Sequence, residues 1–220
     1  MKKTTKVLLT IVCAAAIAAV SVLGTAALLT KKTGPVTNTF VNGKLLSGDF
    51  LLEESPAVQQ ADGTYLLDET APGVTENTYM AIPGMSLPKD PHVTVELADN
   101  IKAYLFLEVI DDLPAGACTW YINSDNWTKL VAGADSHPVL SADGNPIYVY
   151  KAGNPFGKAD AADDIGIISE NIVAVSSECE EGDFTADSKL EFKAYLCQAY
   201  GFDNAAEAWE ACFDTIIPVP

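Results

Sequence analysis

The chain contains no arginine, and only thirteen basic residues stand against thirty acidic ones, which gives a formal net charge of −17 at pH 7. Proteins that bind nucleic acids need a basic surface that displaces counterions from the phosphates. This charge balance provides no such surface, so we exclude nucleic acid as a partner. The same acidity disfavours binding to anionic membrane surfaces.

Histidine is scarce as well, because only His92 and His137 occur in the chain. A zinc protease of the common type needs two histidines one helical turn apart with a glutamate beside the first, and neither histidine has that context. The sequence also lacks a Gly-x-Ser-x-Gly elbow and a glycine-rich phosphate loop. We identify no catalytic residue and no metal site, and we predict that the protein is not an enzyme.

The amino terminus has the layout of an export signal, with a basic start followed by an apolar run. Three lysines lie within the first six residues, and residues 7–30 then carry no charge. We predict cleavage after Ala27, with Thr25 three residues from the bond and Leu28 as the first mature residue. The uncharged run is also long enough to span a bilayer, which takes about 20 apolar residues. An uncleaved membrane anchor is therefore the alternative.

Four cysteines follow the predicted signal peptide: Cys118, Cys179, Cys197 and Cys212. An even number in an exported protein is compatible with one or two disulfides, and four cysteines allow three connectivities. Cys197 and Cys212 flank a short connection between a predicted strand and a predicted helix, which makes them our first choice for a disulfide. Four buried thiols are the alternative.

Acidic residues cluster at Asp111-Asp112 and again at Asp160, Asp163 and Asp164. Calcium takes several oxygen ligands and is abundant outside cells. Neither cluster has the spaced ligands of an EF-hand loop, so we interpret both as solvated loops and predict no cofactor. Calcium binding is the alternative.

The stretch Leu87–Ile110 carries the clearest strand pattern. Polar and apolar residues alternate over His92–Leu97, as in a strand with one buried face. Ala103–Ile110 is apolar on both faces apart from Glu108, which is typical of a strand covered from both sides. With a turn at Ala98–Asn100 between them, the pattern predicts a β-hairpin at the centre of a sandwich.

Other segments predict the rest of a mainly β fold with irregular loop insertions. Further strands are predicted at Pro146–Lys151, Gly166–Val175 and Lys189–Tyr200, and Asp62-Gly63 predicts a hairpin-type turn before the short apolar run Tyr65–Leu67. Near the end, apolar residues recur at helical spacing, and Asn204 with Glu207 predicts the start of a short C-terminal α-helix. The apolar residues are Phe202, Ala206, Trp209 and Phe213. We predict a signal peptide at residues 1–27 and a single antiparallel β-sandwich domain at residues 28–220.

Seven short segments form an ordered set along the chain. They are Gly24-Thr25-Ala26-Ala27, Thr37–Gly43, Ile82-Pro83-Gly84, Pro88–Val95, Ala103–Phe106, Leu190–Tyr195 and Gly201–Trp209. Taken together, this set resembles the TasA/camelysin family of secreted Gram-positive proteins.

The resemblance implies a jelly-roll or immunoglobulin-like sandwich that is secreted to the extracellular matrix or the cell surface. It implies a structural role as a biofilm matrix or fibre subunit, with copies of itself or related matrix subunits as partners. It also implies export processing by a signal peptidase of the SipW type. In fibres of this family the mature N-terminal segment of one subunit adds as a strand to the next subunit. The matching segment here is residues 28–52, and its expected strand-exchange residues are Thr39, Phe40, Val41, Leu45 and Leu46.

Two alternatives stay open at this point. The first is a monomeric surface binding module, in which the segment 28–52 pairs with the sheet of its own chain. The second is a camelysin-like metallopeptidase, a label that some members of the family carry, although the sequence offers no zinc-ligand motif for it.

Overall fold

The computed structural model describes residues 30–32, 45–133, 136–160, 164–180 and 182–213. Within these ranges the protein is mainly β, every strand ladder is antiparallel, and one α-helix follows the last strand. A helix with the length and hydropathy to cross a membrane is absent from the described residues.

The elements are short except for three strands. The strands are β1 (Thr30–Lys32), β2 (Leu46–Glu53), β3 (Ala57–Gln59), β4 (Tyr65–Leu67), β5 (Ser86–Pro88), β6 (His92–Leu97), β7 (Lys102–Asp111), β8 (Cys118–Thr119), β9 (Trp127–Lys129), β10 (Val131–Ala132), β11 (His137–Pro138), β12 (Ile147–Tyr150), β13 (Phe156–Gly157), β14 (Ile165–Gly166), β15 (Ile172–Val175) and β16 (Leu190–Gln198). The α-helix is α1 (Ala205–Phe213), and single turns of 3-10 helix lie at Lys151–Gly153, Lys158–Asp160 and Ser169–Asn171.

Strand β7 is the centre of the largest sheet. The strand order is β1-β16-β7-β12-β9, and β13 also pairs with β7. β7 pairs with β16 at nine positions, from Asp111 opposite Leu190 to Ala103 opposite Gln198. Seven consecutive residues of β7, Ala103 to Val109, are buried. Because neighbouring side chains on a strand point to opposite faces, both faces of β7 are covered, which confirms the prediction for this strand.

One face of β7 packs in the first core, which also contains the buried faces of the smaller sheets. Those sheets have the orders β14-β6-β2 and β5-β15-β8. Leu105 and Leu107 of β7 share this core with Val93, Val95 and Leu97 of β6. The alternating pattern of β6 is therefore explained, because only its apolar face meets the core.

The other face of β7 packs in the second core, beneath helix α1. Phe106 of β7 and Tyr195 of β16 each contact Trp209 edge to face, with ring centroids 5.2 and 5.1 Å apart. The Asn204 side chain accepts a hydrogen bond of 3.0 Å from the Glu207 N–H, and this confirms the predicted helix and its cap. The Glu207 carboxylate in turn accepts from the N–H of Asp203, at 2.8 Å, rather than from the cap residue itself.

The predicted hairpin between β6 and β7 is wrong. β6 pairs with β2 and β14, whereas β7 pairs with β16, β12 and β13, so the two strands belong to different sheets. The turn at Ala98–Ile101, with Asn100 in the left-handed region at φ 61°, carries the chain from one sheet to the other. An alternating pattern shows only that one face of a strand is buried. The pattern is the same whether the two strands are neighbours in one sheet or face each other across the core.

The predicted long strand at Gly166–Val175 is also interrupted. β14 pairs with β6, whereas β15 pairs with β5 and β8, so the chain changes sheets between them. The change occurs at the 3-10 turn, where Glu170 and Asn171 have φ values of 58° and 54°. The apolar pattern of the sequence does not show this break, because Ile167 and Ile168 between the two strands are buried as well. The strands predicted at Pro146–Lys151 and Lys189–Tyr200 are confirmed within one to two residues at each end.

The central position of β7 predicts a large cost for truncating one of its core side chains. Leu105→Ala removes a fully buried side chain, and we expect the free energy of unfolding to fall by about 2–5 kcal/mol. The matched control is Leu66→Ala, because the Leu66 side chain is 60% exposed and its truncation should change stability by less than about 0.5 kcal/mol. Urea unfolding followed by circular dichroism measures both, and equal losses would contradict this assignment of the core.

Candidate strand-addition edge

Strand β16 is the outermost long strand of the large sheet, and among the described strands only the short β1 pairs with its outer side. Its inner side pairs with β7 along its whole length. On the outer side β1 pairs at three positions, with Thr30 opposite Cys197, Lys31 opposite Leu196 and Lys32 opposite Tyr195. Among the described strands, none pairs with the outer side of residues 190–193. The edge thus has one strand-pairing half and one half without a described partner strand.

The two halves of β16 differ in charge. The half without a described partner strand carries Glu191, whose Oε2 lies 2.9 Å from Nζ of Lys189 just before the strand, and Lys193 lies 3.9 Å from the other oxygen of Glu191. Charged side chains on an exposed edge oppose the pairing of further strands, because pairing would desolvate them. The half that β1 covers carries buried Leu196 and Cys197 instead. The charged start of β16 thus opposes further strand pairing, whereas its Tyr195–Cys197 end pairs with β1.

A buried carboxylate lies beside this edge. Glu108 of β7 is directly opposite Lys193 of β16 and is 2% exposed. Its carboxylate accepts hydrogen bonds from the Asn145 side-chain amide at 2.8 Å and from the Tyr195 hydroxyl at 2.5 Å. Burial acts to raise the pKa of Glu108, but hydrogen bonds from Asn145, Ser141 and Tyr195, with the charge of Lys193, together lower it below its ordinary value. Burial and the bond to Glu108 raise the pKa of Tyr195.

A small polar cavity of about 210 Å³ opens at the same place. Glu108, Tyr195, Lys193 and Trp209 are among the residues that line it. The indole N–H of Trp209 is buried and donates to none of the described groups. At roughly 30 Å³ for each water, the cavity has room for several molecules that could accept this hydrogen bond.

Comparison with protein-family models, curated proteins and solved structures finds no match for this chain. The resemblance to the TasA/camelysin family stays a prediction.

The segment Pro88–Val95, part of that resemblance, has a structural role here. The Lys89 ammonium lies 2.8 Å from the Glu54 carboxylate, and both side chains are mostly buried. The Asp90 carboxylate accepts from the N–H and the hydroxyl of Ser55, at 2.9 and 2.6 Å. These contacts fasten the end of β2 to the start of β6. Removing one partner of such a buried ion pair costs about 3–5 kcal/mol, because the other charge stays buried without compensation.

The strand-exchange residues named from the sequence fall in two places. Leu45 is 7% exposed in the first core, and its carbonyl accepts from the Ala98 N–H at 3.1 Å. Leu46 begins β2 and lies opposite Leu97. Within one chain, both therefore belong to the chain's own sheet. Thr39, Phe40 and Val41 lie outside the described residues, as do the cleavage residues Thr25, Ala27 and Leu28.

The histidines and the acidic clusters are placed as follows. His92 Nδ1 lies 3.0 Å from the Asp90 carbonyl oxygen, and His137 is in β11. Asp111 accepts from the indole N–H of Trp120 at 3.0 Å. In the described ranges no three His, Cys, Asp or Glu side chains are grouped to hold a metal ion. Asp163 lies outside those ranges, so the solvated loop stays a prediction for the second acidic cluster and calcium binding stays the alternative.

Sequence reasoning missed the polar group around Glu108, although one signal for it was present. Glu108 is the only charged residue in the apolar run Ala103–Ile110, and a charge in a fully buried strand requires hydrogen-bond partners. Those partners, Ser141, Asn145 and Tyr195, come from distant parts of the sequence, so spacing alone does not reveal them.

We expect Glu108→Gln to destabilise the protein by about 1–3 kcal/mol at pH 7, because a neutral amide cannot accept from all three donors. A free glutamate has a pKa of about 4.3, and the folded state lowers the pKa of Glu108. The stabilisation by Glu108 is thus complete above about pH 4.3 and is lost as pH falls through the folded pKa.

Urea unfolding between pH 3 and pH 7 tests this prediction. The difference between wild type and Glu108→Gln should shrink as the pH falls. Glu191→Gln on the exposed half of β16 is the control and should change stability by less than about 0.5 kcal/mol. A difference that stays constant over the pH range would contradict the assignment of Glu108 as the ionised group.

Proposed function

We propose that the protein is a secreted structural subunit of a biofilm matrix or cell-surface fibre, built as a jelly-roll-like sandwich of the TasA/camelysin type. Subunits assemble when the N-terminal segment of one copy pairs with β16 of the next. The observation that carries the proposal is the outer side of β16, where the described part of a separate N-terminal strand pairs with Tyr195 to Cys197.

Exchange of β1 between copies keeps the same ladder. A strand from a neighbouring copy satisfies the same N–H and C=O groups of β16 as the strand from the same chain. Twelve residues, 33–44, separate the described part of β1 from Leu45, and such a segment reaches at most about 40 Å when extended. Head-to-tail exchange that does not close on itself produces a filament.

Charge supports this choice of donor. Residues 28–44 contain three lysines, Lys31, Lys32 and Lys44, and no acidic residue, whereas all thirty acidic residues lie in 45–220. A basic donor segment is thus attracted to an acidic acceptor domain. Between whole subunits the like charges repel, and salt screens this repulsion over about 10 Å at 0.1 M.

A specific observation also favours the second candidate, a monomeric surface module. In the single chain β1 pairs with β16 of the same molecule, so the edge can be covered without a neighbour. The two candidates share one core and one ladder. They differ only in whether the donor and the acceptor belong to the same chain.

The first test removes the donor and leaves the core intact. Residues 28–40 are deleted, because a longer deletion would remove Leu45 and Leu46, which belong to the first core. We expect wild type to form fibres in electron micrographs and the truncated chain to remain as single particles with an unchanged circular dichroism spectrum. A synthetic peptide of residues 28–40 should bind the truncated chain. Fibres formed by the truncated chain would contradict donor-strand assembly.

The second test uses proline in the donor strand. Successive N–H groups of a strand point in opposite directions, so only one of Lys31 and Lys32 directs its N–H towards β16. Proline lacks that N–H, and we expect one of Lys31→Pro and Lys32→Pro to reduce fibre formation more than the other. Lys31→Gln and Lys32→Gln control for the lost charge.

Wild-type protein that stays monomeric at high concentration and physiological salt would favour the surface module instead.

A further inference from the structure

The four cysteines of the described chain fall into two pairs, one in each core. Cys118 and Cys179 pack against the first core, whereas Cys197 and Cys212 belong to the second. From this arrangement we infer that the protein carries two disulfides, Cys118–Cys179 and Cys197–Cys212. Of the three connectivities that the sequence leaves open, the fold selects one.

The Cys197–Cys212 pair joins helix α1 to strand β16. The two sulphur atoms lie 2.7 Å apart, and Cys197 is fully buried while Cys212 is partly exposed. The contact is made because β16 directs Cys197 into the second core and the last turn of α1 lies over that face. A bond here would fasten the helix that carries Trp209 to the strand that receives β1.

The Cys118–Cys179 pair joins two neighbouring turns beside β8 and β15. Cys118 is directly opposite Val175 in the ladder, and the Ser176 N–H donates to the Ala117 carbonyl at 2.8 Å. The Cys179 N–H then donates to the Ser176 carbonyl at 3.3 Å, so both cysteines are held at the same end of β15, and the Cys179 Sγ lies 3.3 Å from Asp183 Oδ2. Burial is the largest cause that raises the pKa of the Cys118 thiol, and the charge of Cys179 is the second largest.

The large sheet separates the two pairs and excludes the other connectivities. Cys118 and Cys179 lie on the face of β7 that carries Leu105, and Cys197 lies on the face that carries Phe106. A disulfide requires Cα atoms within about 7 Å of each other. Any cross-pair would have to pass through the sheet between the two cores.

Each bond forms by thiol–disulfide exchange with a disulfide of low molecular mass or of an oxidoreductase. A cysteine thiolate attacks that disulfide, releases one thiolate, and the second cysteine then attacks the mixed disulfide. The protein loses two protons and two electrons for each bond, and the oxidant is reduced to two thiols. Because contact with Cys212 and burial raise the pKa of Cys197 in the folded state, exchange is fastest before the core closes.

The test uses the full chain with Cys13→Ser, so that the four inferred partners are its only cysteines. The chain is unfolded, refolded in a buffer of glutathione and glutathione disulfide, and then denatured without reductant in the presence of N-ethylmaleimide, so that the reagent also reaches the buried Cys197. We expect no labelled thiol by intact mass, and four after reduction in denaturant. Cleavage after lysine should give one cross-linked peptide pair with Cys118 and Cys179. The peptide that begins at Ala194 contains both Cys197 and Cys212, so it needs a second cleavage after Glu207 or Glu210.

Single variants check the partners. Cys212→Ser should leave one reactive thiol at Cys197, and Cys179→Ser should leave one at Cys118. The double variant Cys197→Ser/Cys212→Ser should lower Tm by roughly 5–10 °C. Two or more labelled thiols in the refolded chain, or a peptide that links Cys118 to Cys197 or Cys212, would overturn the inference. The refolding assay does not depend on export or fibre formation, so its outcome is independent of the proposed function.

Discussion

The double burial of β7 is the constraint on which the rest of the structure depends. Every side chain from Ala103 to Val109 needs a covering layer, so the chain supplies the smaller sheets on one face and helix α1 on the other. Removing a strand's whole apolar surface from water is the largest favourable term available to a mainly β chain. The same demand explains why Glu108, the charged exception, is surrounded by three hydrogen-bond donors.

The coverage of β7 also defines the edge at β16. Because β16 pairs with the central strand β7, the layers that cover β7 also cover both faces of β16. Tyr195 and Cys197 pack in the second core, whereas Ala194 and Leu196 pack in the first. Towards its start the strand extends beyond the second core, and that face carries Glu191 and Lys193, whereas Leu190 and Phe192 still pack against the first core. The difference between the two ends of the edge therefore follows from where the second core ends.

Much of this fold could be predicted from the sequence, because its signals are local. The apolar run of β7, the alternation of β6, and the Asn204 cap followed by Trp209 each report burial or chain reversal within a few residues. What the sequence does not show is which strands are neighbours. His92–Leu97 has the same alternation whether its partner is β7 or β2, and Ile167-Ile168 hides a change of sheet. Two of the hydrogen-bond partners of Glu108, Asn145 and Tyr195, lie 37 and 87 residues away, and no local pattern contains them or the pairing of the cysteines.

The charges at the start of β16 have a consequence for any polymer built on this edge. A donor that slid along the acceptor would place its backbone against Lys193 and Glu191, whose side chains would lose hydration there. Sliding by a single position would also turn each donor side chain to the opposite face. In such a polymer successive subunits would be held at one axial spacing, so the fibre would have a uniform mass per unit length.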